Sequence, residues 1–300
     1  MKIENTNINF HVIKNTAWME EILKLLQNHF NIVGAQQLEK YYYEGLRLKN
    51  ACHITVDDGD ISVYTHLFPL IKKYKIPISI YVSPFAIKTG KNFWFQEIKD
   101  FDLKHFLGFY STLNGEEIPF KNKHQVSAIL KSMKVHEINA LIDAYKKTYG
   151  IPNKARIGMN LDQVMELKSS GLVSIGAHTL HHPILENEDN ETSRKEILQS
   201  VQELGDLLQE EIKYFAYPNG LPGLDYGERE IRFLKEAKIR LAFSTESKHF
   251  SLKDNPLSIP RRGVTKGGST FVLAKLAFGD YWENLKRMLK GKQEKDFRHQ

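Results

Sequence analysis

The sequence has little of what would indicate a secreted, membrane-spanning or repetitive protein. Cys52 is the one cysteine in 300 residues, so no disulfide can form within the chain, and such cysteine usage fits a reducing compartment. No apolar run approaches the roughly 18 residues that cross a bilayer, and residues 1–15 lack the apolar core and cleavage site of a signal peptide. These features predict a cytoplasmic protein.

The charge of the chain is only mildly basic. The net charge is +6 and the isoelectric point is about 9.0, which suits an anionic substrate, an anionic membrane surface or an ordinary, slightly basic surface. The basic residues are dispersed and no recognition motif is present, so we expect no nucleic-acid partner. Neither charge nor composition indicates an oligomeric state.

Short apolar runs alternate with helical patterns along the chain. Segments typical of buried strands occur at 51–56, 77–82, 172–177, 214–217 and 240–244, and apolar residues at helical spacing lie between them. A strand, a helix and a strand within about thirty residues favour parallel pairing. The pattern therefore predicts an α/β protein, and a chain of this length allows either two domains or one α/β barrel.

We predict a single catalytic domain over residues 1–300, with three additions to the strand–helix pattern. Residues 1–50 are predicted to be an N-terminal helical lead-in. Residues 92–150, which begin with an aromatic cluster and are rich in lysine, are predicted to be a helical insertion. Residues 269–300 are predicted to be a C-terminal helical tail.

The predicted tail has an apolar face with basic residues nearby. The apolar residues are Phe278, Trp282, Leu285 and Leu289, and the basic residues are Lys275, Lys286, Arg287 and Lys290. Such a helix can lie on an anionic membrane, which would make the protein peripherally membrane-associated. The alternative is a helix docked on the barrel, and we favour this alternative.

Polar residues stand where predicted strands end, as in the active sites of α/β enzymes. Asp57 and Asp58 follow the strand at 51–56, and His178 follows the strand at 172–177. Two adjacent carboxylates repel each other unless a cation lies beside them. The acidic pair therefore indicates a metal site, although a lone Asp-Asp-Gly is more often a solvated loop or a helix cap.

A histidine pair strengthens the metal hypothesis. His178 and His182 form a His-x-x-x-His pattern, which directs two imidazoles at one point when the segment turns like a helix. Two histidines and one carboxylate suit a catalytic metal with open positions. The pair alone is equally compatible with structural histidines. We expect His181, between them, to point away from the metal.

Taken together, these segments resemble the polysaccharide deacetylase (NodB homology) family. Its motifs T-F-D-D-G, H-[ST]-x-x-H and F-x-Y-P-x-G are similar to TVDDG at 55–59, HTLHHP at 178–183 and YFAYPNG at 214–220, and IPR at 259–261 resembles a late segment of some branches. The resemblance covers residues 50–265. It implies a distorted (β/α)7-type barrel, here with a helical insertion and a C-terminal helix.

The resemblance implies a role for each matching residue. Asp57 would be the general base, and Asp58, His178 and His182 would hold a divalent metal. Zinc is expected, with cobalt, nickel, manganese or iron as alternatives. Thr179 matches the hydroxyl residue that braces the histidine loop.

Further residues are predicted to contact the substrate. Tyr217, Pro218 and Asn219 belong to the third motif, which lines the groove of the family, and the backbone N–H of Tyr217 is a candidate donor to the oxyanion. Trp94 is expected either to stack on a sugar ring or to anchor the insertion to the barrel.

Two departures from the family leave part of the mechanism open. The late L-x-H motif, whose histidine protonates the leaving amine, is missing, and His249 is only a weak candidate for this role. Ala216 replaces the third-motif arginine that braces the base in other branches. Arg261 is therefore predicted either to bind substrate or to brace Asp57.

The residues and the resemblance predict a metal-dependent hydrolase that removes an N-acetyl group from an amino sugar, with water activated by the metal as nucleophile. The substrate would be an N-acetylated sugar or glycan of a capsule, O-antigen or lipid-linked glycan pathway. One alternative is hydrolysis of another non-peptide C–N bond, as in a cyclic imide or ureide. A second is a non-catalytic carbohydrate-binding barrel. The histidine pair disfavours a phospho-acceptor receiver domain.

Overall fold

Parallel strands and helices alternate in the computed structural model, which describes residues 4–264 and 267–278. The strands of this part of the chain are β1 (Thr6–Phe10), β2 (Asn31–Ile32), β3 (Ala51–Val56), β4 (Ile78–Val82), β5 (Val173–Ala177), β6 (Tyr214–Ala216), β7 (Leu241–Phe243) and β8 (Arg262–Gly263). They form one parallel sheet in the order β7-β6-β5-β4-β3-β1-β8, with β2 also beside β3. The five strands predicted from apolar runs are all present, with ends within one residue of the prediction.

The helices lie between and after these strands. The α-helices are α1 (Thr16–His29), α2 (Ala35–Tyr43), α3 (Phe68–Tyr74), α4 (Pro84–Thr89), α5 (Trp94–Glu97), α6 (Leu103–Asn114), α7 (Lys123–Leu130), α8 (Val135–Tyr149), α9 (Leu161–Ser169), α10 (Asn190–Leu208), α11 (Glu228–Glu236) and α12 (Ser269–Phe278). A π-helical turn (Val63–Leu67) precedes α3, and 3-10 turns lie at Ile98–Asp100 and Leu185–Asn187.

One segment curls the sheet into a barrel. Ile259 forms a parallel bridge with Phe243 of β7, donating from its N–H to Ala242 O (2.8 Å) and accepting from Ser244 N (2.8 Å). Three residues later, β8 pairs with β1 at the other edge of the sheet. Because residues 259–263 contact both edges, the fold is the predicted distorted α/β barrel.

Alternation along the strands separates an apolar outside from an inside that mixes polar, aromatic and aliphatic side chains. On β4, Ile78 and Ile80 join the large apolar cluster that also contains residues of α1, α3, α9 and α10, whereas Ser79 and Tyr81 do not. Each isoleucine buried in this way contributes about 1.5–3 kcal/mol. Since neighbouring side chains point to opposite faces of a strand, Ser79 and Tyr81 face the barrel interior.

The segment before residue 50 differs from the prediction. A helical lead-in is predicted over residues 1–50, but Thr6–Phe10 forms strand β1 between β3 and β8, so the prediction is wrong there. Asparagine has a low β propensity, which hides this strand in the sequence. Asn7 and Asn9 are nevertheless buried, and each donates a hydrogen bond of 2.9 Å within the barrel.

The region predicted as an insertion, residues 92–150, carries helices α5–α8 between β4 and β5. These helices pack around an apolar cluster separate from that of the barrel, formed by Trp94, Phe106, Leu107, Val126, Leu130, Val135, Ile138, Leu141, Ile142 and Tyr145. Lys146 of α8 forms a buried ion pair with Glu97 of α5. The first helix, α5, thereby lies against the rest of the insertion and next to the barrel.

The predicted tail begins with α12, which packs against α1. The indole N–H of Trp18 on α1 donates to Gly267 O just before α12 (2.7 Å). Residues 279–300, with Trp282 and most of the predicted membrane face, lie outside the described residues. Among the helices that are described, none has the length and apolarity needed to cross a bilayer.

Candidate active site

The carboxyl ends of β3 and β5 bring the acidic and histidine motifs together. Asp58 Oδ1 lies 3.4 Å from His178 Nε2 and 3.5 Å from His182 Nε2. These three buried donor atoms all lie within 4.8 Å of one another. The predicted ligand set is thus one cluster, although its members are 120 residues apart in the chain.

The spacing of these donors fits a divalent metal. Ligands about 2.0–2.1 Å from a tetrahedral zinc lie about 3.3–3.4 Å from one another, which is close to the separations of 3.4 and 3.5 Å between Asp58 Oδ1 and the two imidazoles. Asp58 Oδ1 is buried and accepts no hydrogen bond from the described residues. A buried carboxylate oxygen without a donor is costly unless a cation neutralises it, so the chemistry of the donor set fits a metal.

The hydrogen bonds of the histidines orient them for ligation. The Nδ1–H of His178 donates to Ala216 O at the end of β6 (2.7 Å), which turns its Nε2 toward Asp58. His182 also turns its Nε2 toward Asp58. Burial lowers the pKa of His182 to about 3, so this imidazole is neutral and able to ligate at neutral pH.

Asp57 lies beside the donor set in a separate network. Arg261 donates to both of its carboxylate oxygens, from Nη1 to Oδ1 (2.8 Å) and from Nη2 to Oδ2 (2.9 Å), and Asn9 Nδ2 also donates to Oδ2 (2.9 Å). Burial raises the pKa of Asp57, but the charges of Arg261 and His178 outweigh it, so the pKa lies below its ordinary value. Asp57 is therefore ionised and fixed in orientation.

Arg261 braces this carboxylate and does not line the pocket. Its side chain is fully buried, and beyond Asp57 it donates to Ser244 O (2.9 Å) and Thr55 Oγ1 (3.1 Å). Of its two predicted roles, substrate binding is wrong, because its guanidinium is occupied within the barrel wall. Bracing agrees with the geometry and compensates for Ala216 in the third motif.

A strained loop presents the histidine pair. Thr179 and His182 both have positive φ (60° and 56°), which is uncommon for such residues and persists only where surrounding contacts enforce it. Thr179 Oγ1 donates to His178 O (2.6 Å) and accepts from His182 N (3.1 Å). Thr179 thus links the two histidines, as a brace would.

Glu196 on α10 holds the same loop from outside. Its Oε2 accepts from the backbone N–H groups of Leu180 and His181 (2.9 Å each), and its Oε1 lies 2.6 Å from His181 Nδ1. His181 points away from the metal donors, as predicted. Nothing in the sequence singles out Glu196, which lies 14 residues beyond His182 on a helix with several other acids.

Tyr217 and Pro218 are buried behind the site rather than exposed to substrate. The hydroxyl of Tyr217 donates to Leu257 O (2.8 Å), its ring stacks on Tyr226 at 3.5 Å, and its N–H donates to Phe243 O (3.2 Å). Substrate contact by the side chains of Tyr217 and Pro218 is therefore a wrong prediction, as is the oxyanion role of the Tyr217 N–H. Asn219 differs, because it lines the pocket.

Trp94 lies between the insertion and the histidine loop and also lines the pocket, so anchoring and sugar stacking both stay predictions. Only 3% of its surface is exposed, and its indole N–H donates to His182 O (3.1 Å). This bond ties α5 of the insertion to the metal-site loop. The half-buried ring of Phe95 lies 4.7 Å from the His182 ring and also lines the pocket.

A comparison with protein families matches residues 115–242 to the model of the family described as polysaccharide deacetylase. The matched region contains the histidine loop, which carries His178 and His182, and the third motif, which carries Asn219. The resemblance to polysaccharide deacetylases is confirmed. The family supports a deacetylase hydrolase. No curated protein matches the sequence significantly.

Solved structures of polysaccharide deacetylase type share the fold. Streptococcus pyogenes deacetylase PplD, in complex with acetate, aligns with a TM-score of 0.63 at 15% identity, over 92% of this chain and 99% of that one. IcaB from Ammonifex degensii aligns with a TM-score of 0.62 at 19% identity, over 92% of this chain and 97% of that one. A de-N-acetylase from Aggregatibacter actinomycetemcomitans aligns with a TM-score of 0.60 at 15% identity, over 90% of this chain and 99% of that one. Identities this low show the fold alone.

His249 does not take the place of the proton-donating histidine of the late L-x-H motif, which is missing from this chain. This residue lies near Glu4 (3.8 Å), and the next residue, Phe250, donates to Asn5 O at the amino end of β1. A five-residue strand, roughly 16 Å long, separates that end from the metal site. His249 as general acid is therefore a wrong prediction.

His11 is the histidine that sequence reasoning missed. Phe10 pairs with Val56 in the parallel register, so His11 leaves β1 level with Asp57 at the end of β3. It is exposed, lines the pocket with Asp58, and its charge lowers the pKa of that carboxyl. Only recognition of β1 as a strand ending at Phe10 would have indicated this residue.

A pocket of about 440 Å³ opens from the metal donors toward the insertion. It is lined by His11, Asp58, Trp94, Phe95, Ile98, Lys99, Leu103, Lys123, His124, Val126, Ser127, Lys131, His182 and Asn219. The volume is typical of sites for small ligands. In this deacetylase fold the insertion therefore supplies most of the wall facing the metal.

Proposed function

We propose that the protein is a metal-dependent N-deacetylase that acts on an amino sugar of a surface-glycan pathway. The observation that carries this proposal is a buried Asp58–His178–His182 donor set with a second carboxylate, Asp57, braced beside it. Burying an extra charge costs free energy. A barrel that only bound carbohydrate would have no use for Asp57, whereas a hydrolase needs it as a base.

The chain's own residues supply most of the chemistry of amide hydrolysis. Bound by Asp58 and the two histidines, a divalent metal such as zinc would polarise the amide carbonyl and lower the pKa of water. Asp57 accepts three hydrogen bonds from the described residues, and its remaining acceptor position would take the proton of the attacking water. Asn219 Nδ2, buried and without a partner among the described residues, is a donor for charge on the carbonyl oxygen.

His11 donates the proton that the departing amine requires. His11 is exposed and lines the pocket, whereas Asp57 is buried next to Asp58, which lines the same pocket. Imidazole is the side chain most often used for proton transfer near neutral pH. This assignment completes the mechanism without the late family motif.

Acetate release tests the proposed function directly. Metal-free protein is reloaded with zinc, cobalt, nickel, manganese or iron and incubated with N-acetylated monosaccharides, oligosaccharides, nucleotide-linked and lipid-linked sugars, a cyclic imide and a ureide. Asp57→Asn keeps the metal donors and is the control: it should bind metal stoichiometrically and lose at least about 10²-fold in kcat. No acetate from any sugar with any metal would refute the proposal, and ring opening of the imide or ureide alone would support the alternative hydrolase.

A pair of histidine variants tests the proton donor. We expect His11→Ala to lower kcat by about 10²–10⁴-fold with unchanged metal content, and His249→Ala, at the opposite end of β1, to leave kcat unchanged. The loss in His11→Ala should shrink for substrates whose leaving amine is less basic. Equal kcat values in the two variants would remove His11 from the mechanism.

A further inference from the structure

The wall of the pocket formed by the insertion combines apolar and cationic side chains. The apolar members are Trp94, Phe95, Ile98, Leu103 and Val126, and the cationic members are Lys99, Lys123 and Lys131. None of these residues belongs to the family motifs that place the metal and the base. The wall is thus a feature of this chain's insertion, adjoining the reaction centre.

The charge of this pocket is strongly unbalanced. Three lysines line it, whereas Asp58 is the one acidic residue among its described lining residues, and Asp58 belongs to the metal donor set. Lysine side chains that line one cavity raise the local concentration of anions. The pocket is therefore suited to a guest with more than one negative charge.

The nearest acid in sequence does not offset this charge. Asp100 follows Lys99 directly, but it forms its ion pair with Lys154 (2.9 Å) and does not line the pocket. Lys99 and Lys123 are both exposed and both line the cavity, Lys99 from the 3-10 turn at Ile98–Asp100 and Lys123 from α7. They can thus approach one anion from two sides.

We propose that this lysine-lined wall binds a phosphoryl group carried by the amino-sugar substrate. The inference rests on the proposed deacetylase function and names its substrate class. Ammonium groups act as point charges toward phosphate oxygens, and the two exposed lysines, Lys99 and Lys123, match the charge of a phosphoryl group better than that of a single carboxylate. The apolar members of the wall leave a surface for the sugar face or for the group beyond the phosphate.

Equilibrium binding tests the inference without turnover. The full-length, metal-free protein is titrated calorimetrically with N-acetylglucosamine 1-phosphate, UDP-N-acetylglucosamine, a polyprenyl-diphosphate-linked N-acetylglucosamine in detergent and neutral di-N-acetylchitobiose. We expect at least one phosphorylated ligand to bind at least about tenfold more tightly than the neutral sugar, with an affinity that falls as salt rises. The ligand that binds most tightly distinguishes a nucleotide from a lipid source.

Charge-removing variants localise the site. The double variant K99Q/K123Q should weaken binding of the phosphorylated ligands about tenfold or more and leave the neutral sugar unaffected. The matched control is Lys104→Gln, because Lys104 is an exposed lysine of α6 outside the pocket. This variant should change neither the affinity for the phosphorylated ligands nor the affinity for the neutral sugar. Phosphorylated ligands that bind no better than the neutral sugar, or that bind K99Q/K123Q as well as the wild type, would overturn the inference.

The failure of this inference can be told apart from failure of the proposed function. If neutral sugars are deacetylated but phosphorylated ligands do not bind more tightly, only the phosphoryl site is wrong. If phosphorylated ligands bind as expected but no acetate is released from any substrate, the pocket stands and the deacetylase assignment fails.

Discussion

The buried pair of Arg261 and Asp57 should be the most strongly coupled interaction of the site. Both side chains are nearly inaccessible, with 0% and 3% of their surface exposed, and they share two hydrogen bonds of 2.8 and 2.9 Å. Arg261→Met removes the cation and keeps an unbranched side chain, and Asp57→Asn removes the anion and keeps the shape. The two changes and their combination form a double-mutant cycle.

The expected magnitudes follow from burial. Removing one partner of a buried ion pair costs about 3–5 kcal/mol, because the other charge is left without compensation. The bonds of Arg261 to Ser244 O and Thr55 Oγ1 are lost in both Arg261→Met proteins, so the cycle cancels them. The double variant, which buries no unpaired charge, should therefore be less destabilised than the sum of the single variants by about 2 kcal/mol or more.

Urea unfolding of the metal-free proteins, followed by circular dichroism, measures this coupling. The control is the same cycle on Arg194 and Glu236, a pair in which 49% and 44% of the side chains are exposed and whose coupling should be about 0–1 kcal/mol. Catalytic activity should fall in both single variants and in the double variant, so it cannot report the coupling. The free energy of unfolding is therefore the quantity that is compared. Additive costs at Arg261 and Asp57, or a coupling no larger than in the control, would refute the reasoning.

Three further changes probe the shell around the metal. Glu196→Gln should loosen the loop that carries His181 and weaken zinc affinity about 10–100-fold, measured by competition with a chromophoric chelator, whereas Glu203→Gln on the same helix should not. Trp94→Phe removes the N–H donor to His182 O and should lower both the melting temperature and the zinc affinity. A loss of activity with an unchanged melting temperature and an unchanged zinc affinity would instead favour sugar stacking. Gly176→Ala should destabilise the protein by about 1–3 kcal/mol in urea unfolding, because its Cβ would lie 2.6 Å from a carbonyl oxygen and a tyrosine ring; unaltered stability would show that β5 can shift.

The apolar strands and the metal ligands were accessible to sequence reasoning. Strands β3 to β7 consist of short apolar runs, which periodicity detects. The metal ligands occupy two short segments, Asp57-Asp58 and His178–His182, in which spacing and residue type already imply chemistry. The parallel order of strands then makes their meeting at one edge of the sheet an expected result.

Other parts of the fold and site were not accessible, for a physical reason. Strand β1 carries Asn7 and Asn9, which face the barrel interior, and these two residues of low β propensity interrupt the apolar run by which the other strands were detected. Because β1 was missed, His11 at its end was missed too. The exposed groove expected around Tyr217 is instead a buried tyrosine stack, since the sequence pattern does not distinguish a lining residue from a supporting one.

The chain by itself determined the strand–helix alternation, the predicted metal donors and the proposed base, because these depend on local periodicity and on side-chain chemistry within a few residues. Only the tertiary structure decided the partners of those groups. Arg261, 204 residues beyond Asp57, braces the base, and Glu196 and Trp94 hold the histidine loop from separate helices. Such contacts depend on how the barrel closes and on where the insertion packs, and no local pattern in the sequence records either.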